Sequence, residues 1–162
     1  MTSAYHLAQV NVGKLLAPID HPQIRDFKDN LDRINALAEA QPRFVWRLVG
    51  EGDDATDLRP FEDPDILINM SVWTGIEALA AFVYRTDHRD IMRRRREWFE
   101  PMETFMALWW VPAGHIPTAA EAWEKLKTLE RLGPTAEAFT FRNPSPAPDA
   151  IEPEAPILDR CA

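Results

Sequence analysis

Two adjacent tryptophans, Trp109 and Trp110, lie in the short apolar stretch ALWWVPAGH, residues 107–115. The stretch has the length and composition of a β-strand. Because successive side chains of a strand point to opposite faces of the sheet, one tryptophan must lie on each face. The chain therefore has to cover both faces of its sheet, whereas a single layer of helices covers only one.

Hydrophobic periodicity divides most of the chain into alternating strands and helices. The predicted strands are residues 5–12, 42–50, 66–73, 105–112 and 137–141. The predicted helices begin near Asp20, Thr74, Thr86 and Thr118. Asp20, Thr74 and Thr118 are candidate N-caps, because each is followed three residues later by Gln or Glu, as in a capping box.

The order of these elements is β-α-β-β-α-β, followed by one more helix and strand. This order predicts an α+β, ferredoxin-like antiparallel sheet with helices on one face and an added C-terminal unit. Residues 1–142 are expected to form this single domain. Residues 143–162 are rich in proline and acidic residues and lack periodicity, so we expect an extended, disordered tail.

The strand predicted over residues 66–73 indicates what the face without helices requires. One side of this strand is apolar, whereas the other mixes polar and apolar residues, namely Leu67, Asn69, Ser71 and Trp73. The first strand carries a similar mixed set, Tyr5, Leu7, Gln9 and Asn11. A bare face this apolar is normally covered by another subunit. We therefore expect a homodimer whose sheets meet face to face, with one of the two tryptophans facing the partner or a cavity.

Composition narrows the range of partners and compartments. The net charge of the 162-residue chain is −8, which argues against nucleic acid and anionic membranes as partners. No apolar run is long enough to span a bilayer, and the first residues lack the pattern of a signal peptide. The single cysteine, Cys161, excludes an internal disulfide. We expect a cytoplasmic protein with no nucleic-acid or membrane partner.

Several segments together carry a family resemblance. They are LAQVNV, PRFVWRL, NMSVWTGIEALAAFVY, TDHRDIMRRRREWF, LWWVPAGHIPTAAEA and GPTAEAFTF. Over residues 4–142 they resemble an uncharacterised bacterial family, domain-of-unknown-function family 3291. The resemblance implies the dimeric α+β barrel superfamily, which includes antibiotic-biosynthesis monooxygenases, haem-degrading monooxygenases and small-molecule isomerases. It implies a fold and a dimer more than a reaction.

The same resemblance implies three candidate catalytic residues. Monooxygenases of this superfamily use an asparagine on the first strand and a tryptophan at the end of the third, and the haem enzymes add a histidine on the next helix. Asn11, Trp73 and His88 lie in the matching elements, although Gln9 competes with Asn11 for its role. The cofactor stays unknown. It is haem, with His88 as axial ligand, or none, and no histidine pair has the spacing of another metal site.

Further residues are candidates for binding a substrate. Buried amides and hydroxyls persist where they have partners or a ligand, a mid-strand arginine needs an anion, and an arginine on the His88 face can pair with a ligand carboxylate. A histidine just beyond the tryptophan pair can lie at a pocket rim. The candidates are Gln9, Arg47, Asn69, Ser71, Arg95, Trp109, Trp110 and His115.

Two classes of function remain open. The first is a monooxygenase-like oxidoreductase acting on an aromatic or polycyclic small molecule, or on haem itself, with amides that orient a substrate oxygen and aromatic walls that exclude water. The second is a non-catalytic dimer that binds a hydrophobic ligand or a partner protein, and an isomerase or cyclase is a variant of the first. The pocket is placed either on the helix-free sheet face or between the sheet and the helix of residues 86–99.

Overall fold

The computed structural model describes residues 3–50, 56 and 61–150. Within these residues it has four strands, β1 Tyr5–Lys14, β2 Phe44–Arg47, β3 Ile66–Trp73 and β4 Met106–Pro112. The α-helices are α1 Arg25–Glu39, α2 Ile76–Arg85, α3 His88–Arg93 and α4 Ala119–Leu132. Short 3-10 turns at Pro22–Ile24 and Arg95–Glu97 precede α1 and follow α3.

The strands form one antiparallel sheet in the order β2-β3-β1-β4. This order and the α+β element sequence confirm the predicted ferredoxin-like fold. The register between β1 and β3 places Gln9 opposite Ser71 and Asn11 opposite Asn69. The polar residues of the two central strands are therefore cross-strand neighbours on one face of the sheet.

One face of the sheet is covered by α1–α3. Leu7 and Trp73 project from the two central strands and pack with Ala38 of α1 and with Leu79 and Phe82 of α2. All five side chains are less than 8% exposed. This burial of apolar area stabilises the packing of the helices on the sheet, and it confirms that the ferredoxin-like helices share a face.

The opposite face is covered by α4. Ala8 and Trp109 pack there against Ala122, Leu126 and Leu129 of that helix. The expectation that this face is left bare is therefore wrong for the single chain, because the added C-terminal unit supplies a helix of its own. The homodimer stays a prediction, but it can no longer rest on a helix-free face.

The two tryptophans of β4 are indeed separated by the sheet. Trp109 is 1% exposed beneath α4, whereas Trp110 lies on the α1–α3 face and packs near Phe139, with ring centroids 6.4 Å apart. Nε1 of Trp110 donates a hydrogen bond to the backbone oxygen of Ser145 at 2.8 Å. The segment after α4, which contains Phe139 and Ser145, thus covers the part of this sheet face around Trp110.

The strand predicted over residues 137–141 is reduced to a single bridge. Leu108 and Phe139 exchange two backbone hydrogen bonds of 2.9 Å. The side chains of Phe139 and Phe141 are nevertheless fully buried. The predicted strand is therefore wrong as a regular element, because a buried apolar segment need not form a ladder.

One of the three predicted helix caps is confirmed. The Thr118 hydroxyl accepts a hydrogen bond from the backbone N–H of Glu121 at 3.1 Å and caps α4. At the first helix His21 takes the place predicted for Asp20, because its Nδ1 accepts from the N–H of Gln23. The N-cap of α2 is Gly75, which has no side chain to accept a hydrogen bond, so the cap predicted at Thr74 is wrong.

The beginning of the predicted tail contacts the domain. The Asp149 carboxylate accepts hydrogen bonds from the Ser3 hydroxyl at 2.8 Å and the Ala4 N–H at 2.7 Å. Residues 151–162, the rest of that tail, lie outside the described residues. In the described part of the chain, no helix combines the length and apolarity needed to cross a bilayer.

Deleting residues 143–162 is expected to leave the fold intact and to lower the free energy of unfolding by about 1–2 kcal/mol. The deletion removes the acceptor of the Trp110 N–H and the carboxylate that holds the N-terminal strand, and each such bond contributes on the order of 1 kcal/mol. Urea unfolding measures the loss. A chain that ends at Ala150 is the control, and equal losses for the two deletions would contradict the assignment of the effect to these contacts.

Candidate functional site

A cavity of about 160 Å³ lies between the sheet and α1–α3. Its floor comes from β1 and β3, and its walls come from the inner sides of the three helices. The placement between the sheet and the helix of residues 86–99 therefore describes it, and the placement on a helix-free face does not. The mid-strand residue Asn69 lines the cavity and is exposed, so the cavity opens to solvent beside it.

The floor of the cavity carries a hydrogen-bonded polar network. Nε2 of Gln9 donates to the Asn69 Oδ1 at 2.9 Å and to the Ser71 Oγ at 2.8 Å. Nε1 of Trp73 donates to the same Ser71 oxygen at 2.9 Å. Gln9 and Ser71 are only 6% and 7% exposed, and buried polar groups of this kind are costly unless they are paired. The network thus fixes the orientation of the Trp73 indole.

Asn11 differs from Gln9 in having a free amide. Both N–H groups of the Gln9 amide are used within the network, whereas the Asn11 side chain lines the cavity without a hydrogen bond to any described residue. Asn11 is therefore better placed than Gln9 to bind a ligand oxygen. Which of the two residues takes the catalytic role, a question that the sequence left open, stays a prediction.

His88 lines the cavity wall and is held neutral. A turn directs it there: the Thr86 hydroxyl donates to the Phe82 carbonyl at 2.6 Å and accepts from the His88 N–H at 3.2 Å, and α3 then begins. Burial lowers the pKa of His88 to about 4, and the Val83 carbonyl only partly opposes this shift. The buried Nδ1 atom has no hydrogen-bond partner among the described residues. His88 is therefore neutral at pH 7, with one ring nitrogen free of a proton, and the burial that keeps it neutral also makes it a weaker base than an exposed histidine.

Two arginines also line the cavity. The Arg47 guanidinium forms an ion pair with Glu39 of α1. The Arg95 guanidinium donates from Nη2 to the Val12 carbonyl at 2.8 Å and lies 4.3 Å from the Phe105 ring centroid. Burial lowers the pKa of Arg95, and at neutral pH the guanidinium remains charged.

Three predicted substrate-binding residues lie outside the cavity lining, namely Trp109, Trp110 and His115. Trp109 and His115 instead converge on Glu121 of α4, with distances of 3.1 and 2.8 Å to its carboxylate oxygens. Trp110 shares the cavity face, but its register partner is Leu7, beyond the polar floor. Strand alternation places Trp109 on the other face of the sheet and register places Trp110 beyond the polar floor, while His115 follows β4 and pairs with Glu121. The structure therefore gives no support to their predicted place in the site.

The prediction missed the contribution of α1 to the site. Phe27, Asn30, Ile34 and Asn35 all line the cavity from this helix. The helical spacing of the apolar residues of α1 indicates only that this side of the helix is buried, and the two asparagines are not among the predicted site residues. The sequence did contain a signal, because Asn30 and Asn35 lie on the flank of an otherwise apolar side of the helix. A solvent-exposed helix surface more commonly carries charged residues.

Gly13 permits an aromatic ring to pack on β1 at one end of the cavity. A Cβ atom at this position would lie 2.5 Å from Cδ1 of Phe99. Replacing Gly13 with alanine is therefore expected to lower the free energy of unfolding by about 1–3 kcal/mol, the cost of overpacking. Gly75→Ala is the matched control, because a Cβ atom at residue 75 would meet nothing within 4 Å. Chemical unfolding of both variants tests this, and equal stability of the two would contradict the expected clash.

The fold and the cavity define an α+β protein of ferredoxin-like topology that can enclose a small molecule between its sheet and three helices. The chain belongs to the family described as "Domain of unknown function (DUF3291)", whose family model matches residues 6–155. This match confirms the resemblance carried by the sequence segments. No significant match was found among curated protein sequences.

Solved structures with a similar fold come from several organisms. A conserved protein from Methanosarcina mazei has 14% identity and a TM-score of 0.49, covering 68% of this chain and 95% of its own. SnoaB, a cofactor-independent oxygenase from Streptomyces nogalater, has 17% identity and a TM-score of 0.47, with coverage of 70% and 97%. A protein from Pseudomonas aeruginosa has 12% identity and a TM-score of 0.47, with coverage of 71% and 99%.

The cavity is too small for haem, the cofactor that the family resemblance suggests. Its volume of about 160 Å³ is close to the roughly 150 Å³ that accommodates one benzene ring, whereas haem is a macrocycle of four pyrroles.

Proposed function

We propose that this protein is a cytoplasmic monooxygenase-type oxidoreductase that works without haem and oxidises an aromatic small molecule in the cavity. One observation carries the proposal: a neutral histidine, His88, lines the same cavity as Asn11, whose amide has no hydrogen bond to any described residue. A proton acceptor and an oxyanion-binding amide beside aromatic walls suit the deprotonation of a phenol.

The reaction that this arrangement supports is the oxidation of a phenol to a quinone by dioxygen. His88 accepts the phenolic proton and passes it to the departing oxygen. One oxygen atom of dioxygen bonds to a ring carbon and replaces its hydrogen, and the other leaves as water. The substrate supplies all four electrons, so that phenol and dioxygen give quinone and water with no external reductant.

Asn11 and Trp73 also have roles in this scheme. The Asn11 amide donates a hydrogen bond to the oxygen on which negative charge develops. Trp73 forms a wall that excludes water, and its indole is fixed by the bond to Ser71. A site with such pre-positioned donors and an apolar wall lowers the barrier without reorganising during the reaction.

Oxygen uptake by the purified protein, with a panel of phenols and a chelator present, tests the proposal. We expect uptake equimolar with quinone formation. His88→Gln is expected to lower the rate by about 10²–10⁴-fold, and Asn11→Ala by about 10²-fold or more. His115→Gln is the control, since His115 lies outside the cavity lining and pairs with Glu121.

The other function classes predict different outcomes of the same assay. An aromatic ligand that binds without oxygen uptake would indicate a ligand-binding protein. A product with the composition of its substrate would indicate an isomerase or cyclase. Activity that requires added haem would contradict the haem-free proposal, and full activity of His88→Gln would contradict the assigned proton acceptor.

The proposal includes a homodimer, which the superfamily resemblance implies. Apolar surface that such a contact could bury includes Val45 of β2 and Val49 just after this strand, which are 37% and 41% exposed, together with the half-buried Trp46. A stable dimer buries on the order of 1,200 Å² or more in total. Light scattering that shows only monomer at micromolar concentration would contradict it.

A further inference from the structure

The charged groups of the described residues that line the cavity are all positive. Among the described residues its lining includes Arg47 and Arg95 but no aspartate or glutamate, although the chain as a whole carries a net charge of −8. Five amides add polar groups without charge, namely Gln9, Asn11, Asn30, Asn35 and Asn69. A lining of cations and amides inside an acidic protein favours an anionic ligand over a neutral or cationic one.

The two arginines differ in how their charge is compensated. Arg47 has the Glu39 carboxylate as its ion-pair partner. Arg95 has no carboxylate of the described residues within 4.0 Å, and its contacts are the Val12 carbonyl and the rings of Phe99 and Phe105. A partly buried cation without a counter-ion is unfavourable unless a ligand supplies the anion.

The geometry of Arg95 leaves donors for such an anion. A guanidinium has five N–H donors, and the structure uses Nη2 for the Val12 carbonyl at 2.8 Å. The two phenylalanine rings, with centroids 5.2 and 4.3 Å from the guanidinium carbon, hold its plane in place. A fixed guanidinium plane is suited to a carboxylate, which accepts two parallel hydrogen bonds.

The size and walls of the cavity limit the rest of the ligand. A volume of about 160 Å³ is enough for one aromatic ring, because an apolar cavity of about 150 Å³ holds benzene. The walls that would contact this ring include the aromatic side chains of Phe27, Trp73 and Phe82. A fused polycyclic ligand would extend beyond this volume.

We propose that the cavity selects a single-ring aromatic carboxylate, with the carboxylate bound to Arg95 and the ring between the sheet and α1–α3. The inference concerns the site of the proposed monooxygenase reaction. It rests on that proposed function, because only then is the bound aromatic carboxylate a substrate. A hydroxybenzoate is then the simplest substrate, because it combines the anion that Arg95 binds with the phenol that the oxidation requires.

Isothermal titration calorimetry tests whether the cavity prefers an anionic ligand. The two ligands are benzoate and benzamide, its neutral analogue of the same shape. The wild-type protein is expected to bind benzoate at least about 10-fold more tightly than benzamide. Arg95→Met is expected to remove this preference by weakening benzoate alone. Arg96→Met is the matched control, because Arg96 is exposed and does not line the cavity, and it should bind both ligands as wild type does.

Two further measurements keep the test independent of folding and address ligand size. Arg95→Lys retains the charge and loses the paired donors, so it should reduce the preference for benzoate even if Arg95→Met fails to fold. 2-Naphthoate should bind more weakly than benzoate. Equal binding of benzoate and benzamide by the wild-type protein, an unchanged preference in both Arg95 variants, or tighter binding of 2-naphthoate would each overturn the inference.

Failure of this inference is distinguishable from failure of the proposed function. Oxygen uptake with neutral phenols that depends on His88, together with no preference for benzoate, would contradict the anion and leave the oxidation standing. Binding of benzoate that depends on Arg95, with no oxygen uptake for any hydroxybenzoate, would support the anion site and contradict the monooxygenase.

Discussion

Replacing Trp73 with alanine is expected to lower the free energy of unfolding by about 3–5 kcal/mol, the range for removing a fully buried tryptophan. Trp73 is 0% exposed. Its ring stacks on Phe82 with centroids 5.2 Å apart and meets Phe44 edge to face at 5.3 Å, and its N–H pairs with Ser71. Urea unfolding followed by circular dichroism measures the loss.

Trp73→Phe separates ring packing from the hydrogen bond. It keeps an aromatic ring between the same neighbours and removes the donor to Ser71, which still accepts from Gln9. We expect it to lose about 1–2 kcal/mol, less than the alanine variant. A loss below about 1 kcal/mol for Trp73→Ala would show that this side chain is not central to the packing of α2 on the sheet.

The stability of the protein is expected to fall by about 3 kcal/mol between pH 6.5 and pH 4 through His88 alone. Burial sets the pKa of this histidine in the folded state at about 4, below its ordinary value of 6.5. The unfolded chain therefore binds a proton as the pH falls below 6.5, and the folded protein does not until about pH 4. A pKa difference of 1 between the folded and the unfolded state corresponds to about 1.4 kcal/mol in the free energy of unfolding.

His88→Gln removes this contribution and provides the comparison. Acid also removes the stabilisation that comes from carboxylates with lowered pKa values, but it does so in both proteins. The pKa of Asp63 is lowered by hydrogen bonds from the Asp65 backbone N–H and from Lys14, and that of Glu97 by a hydrogen bond from Arg94. The difference between the two curves of unfolding free energy against pH isolates the histidine. Parallel curves from pH 7 to pH 4 would show that His88 is not held neutral by the fold.

The strand pattern predicted the floor of the site well because a strand has a short, strict period. The boundaries predicted for β3, residues 66–73, are those observed, and alternation alone placed Asn69, Ser71 and Trp73 on one face. The same rule placed Gln9 and Asn11 together on β1. The antiparallel register then brought the two sets opposite each other, which the sequence did not determine.

The walls of the site could be predicted less well because they depend on helix placement. Helical periodicity gives the buried side of α1 but not the distance between that side and the sheet. Whether Asn30 and Asn35 meet core atoms or an open volume depends on that distance. The break at Thr86 was visible in the sequence, and the hydrogen bonds that direct His88 into the cavity after it were not.

The sequence by itself determined the order of elements, the ferredoxin-like class and the requirement that both faces of the sheet be covered, since these follow from local periodicity and the alternation at Trp109 and Trp110. Only the tertiary structure decided what covers each face. α4 packs over Trp109, and the segment that contains Ser145 pairs with Trp110. The physical reason is that periodicity is a local property of the sequence. Whether a helix of the same chain or a second subunit covers a sheet face depends on where a segment distant in sequence buries its apolar area.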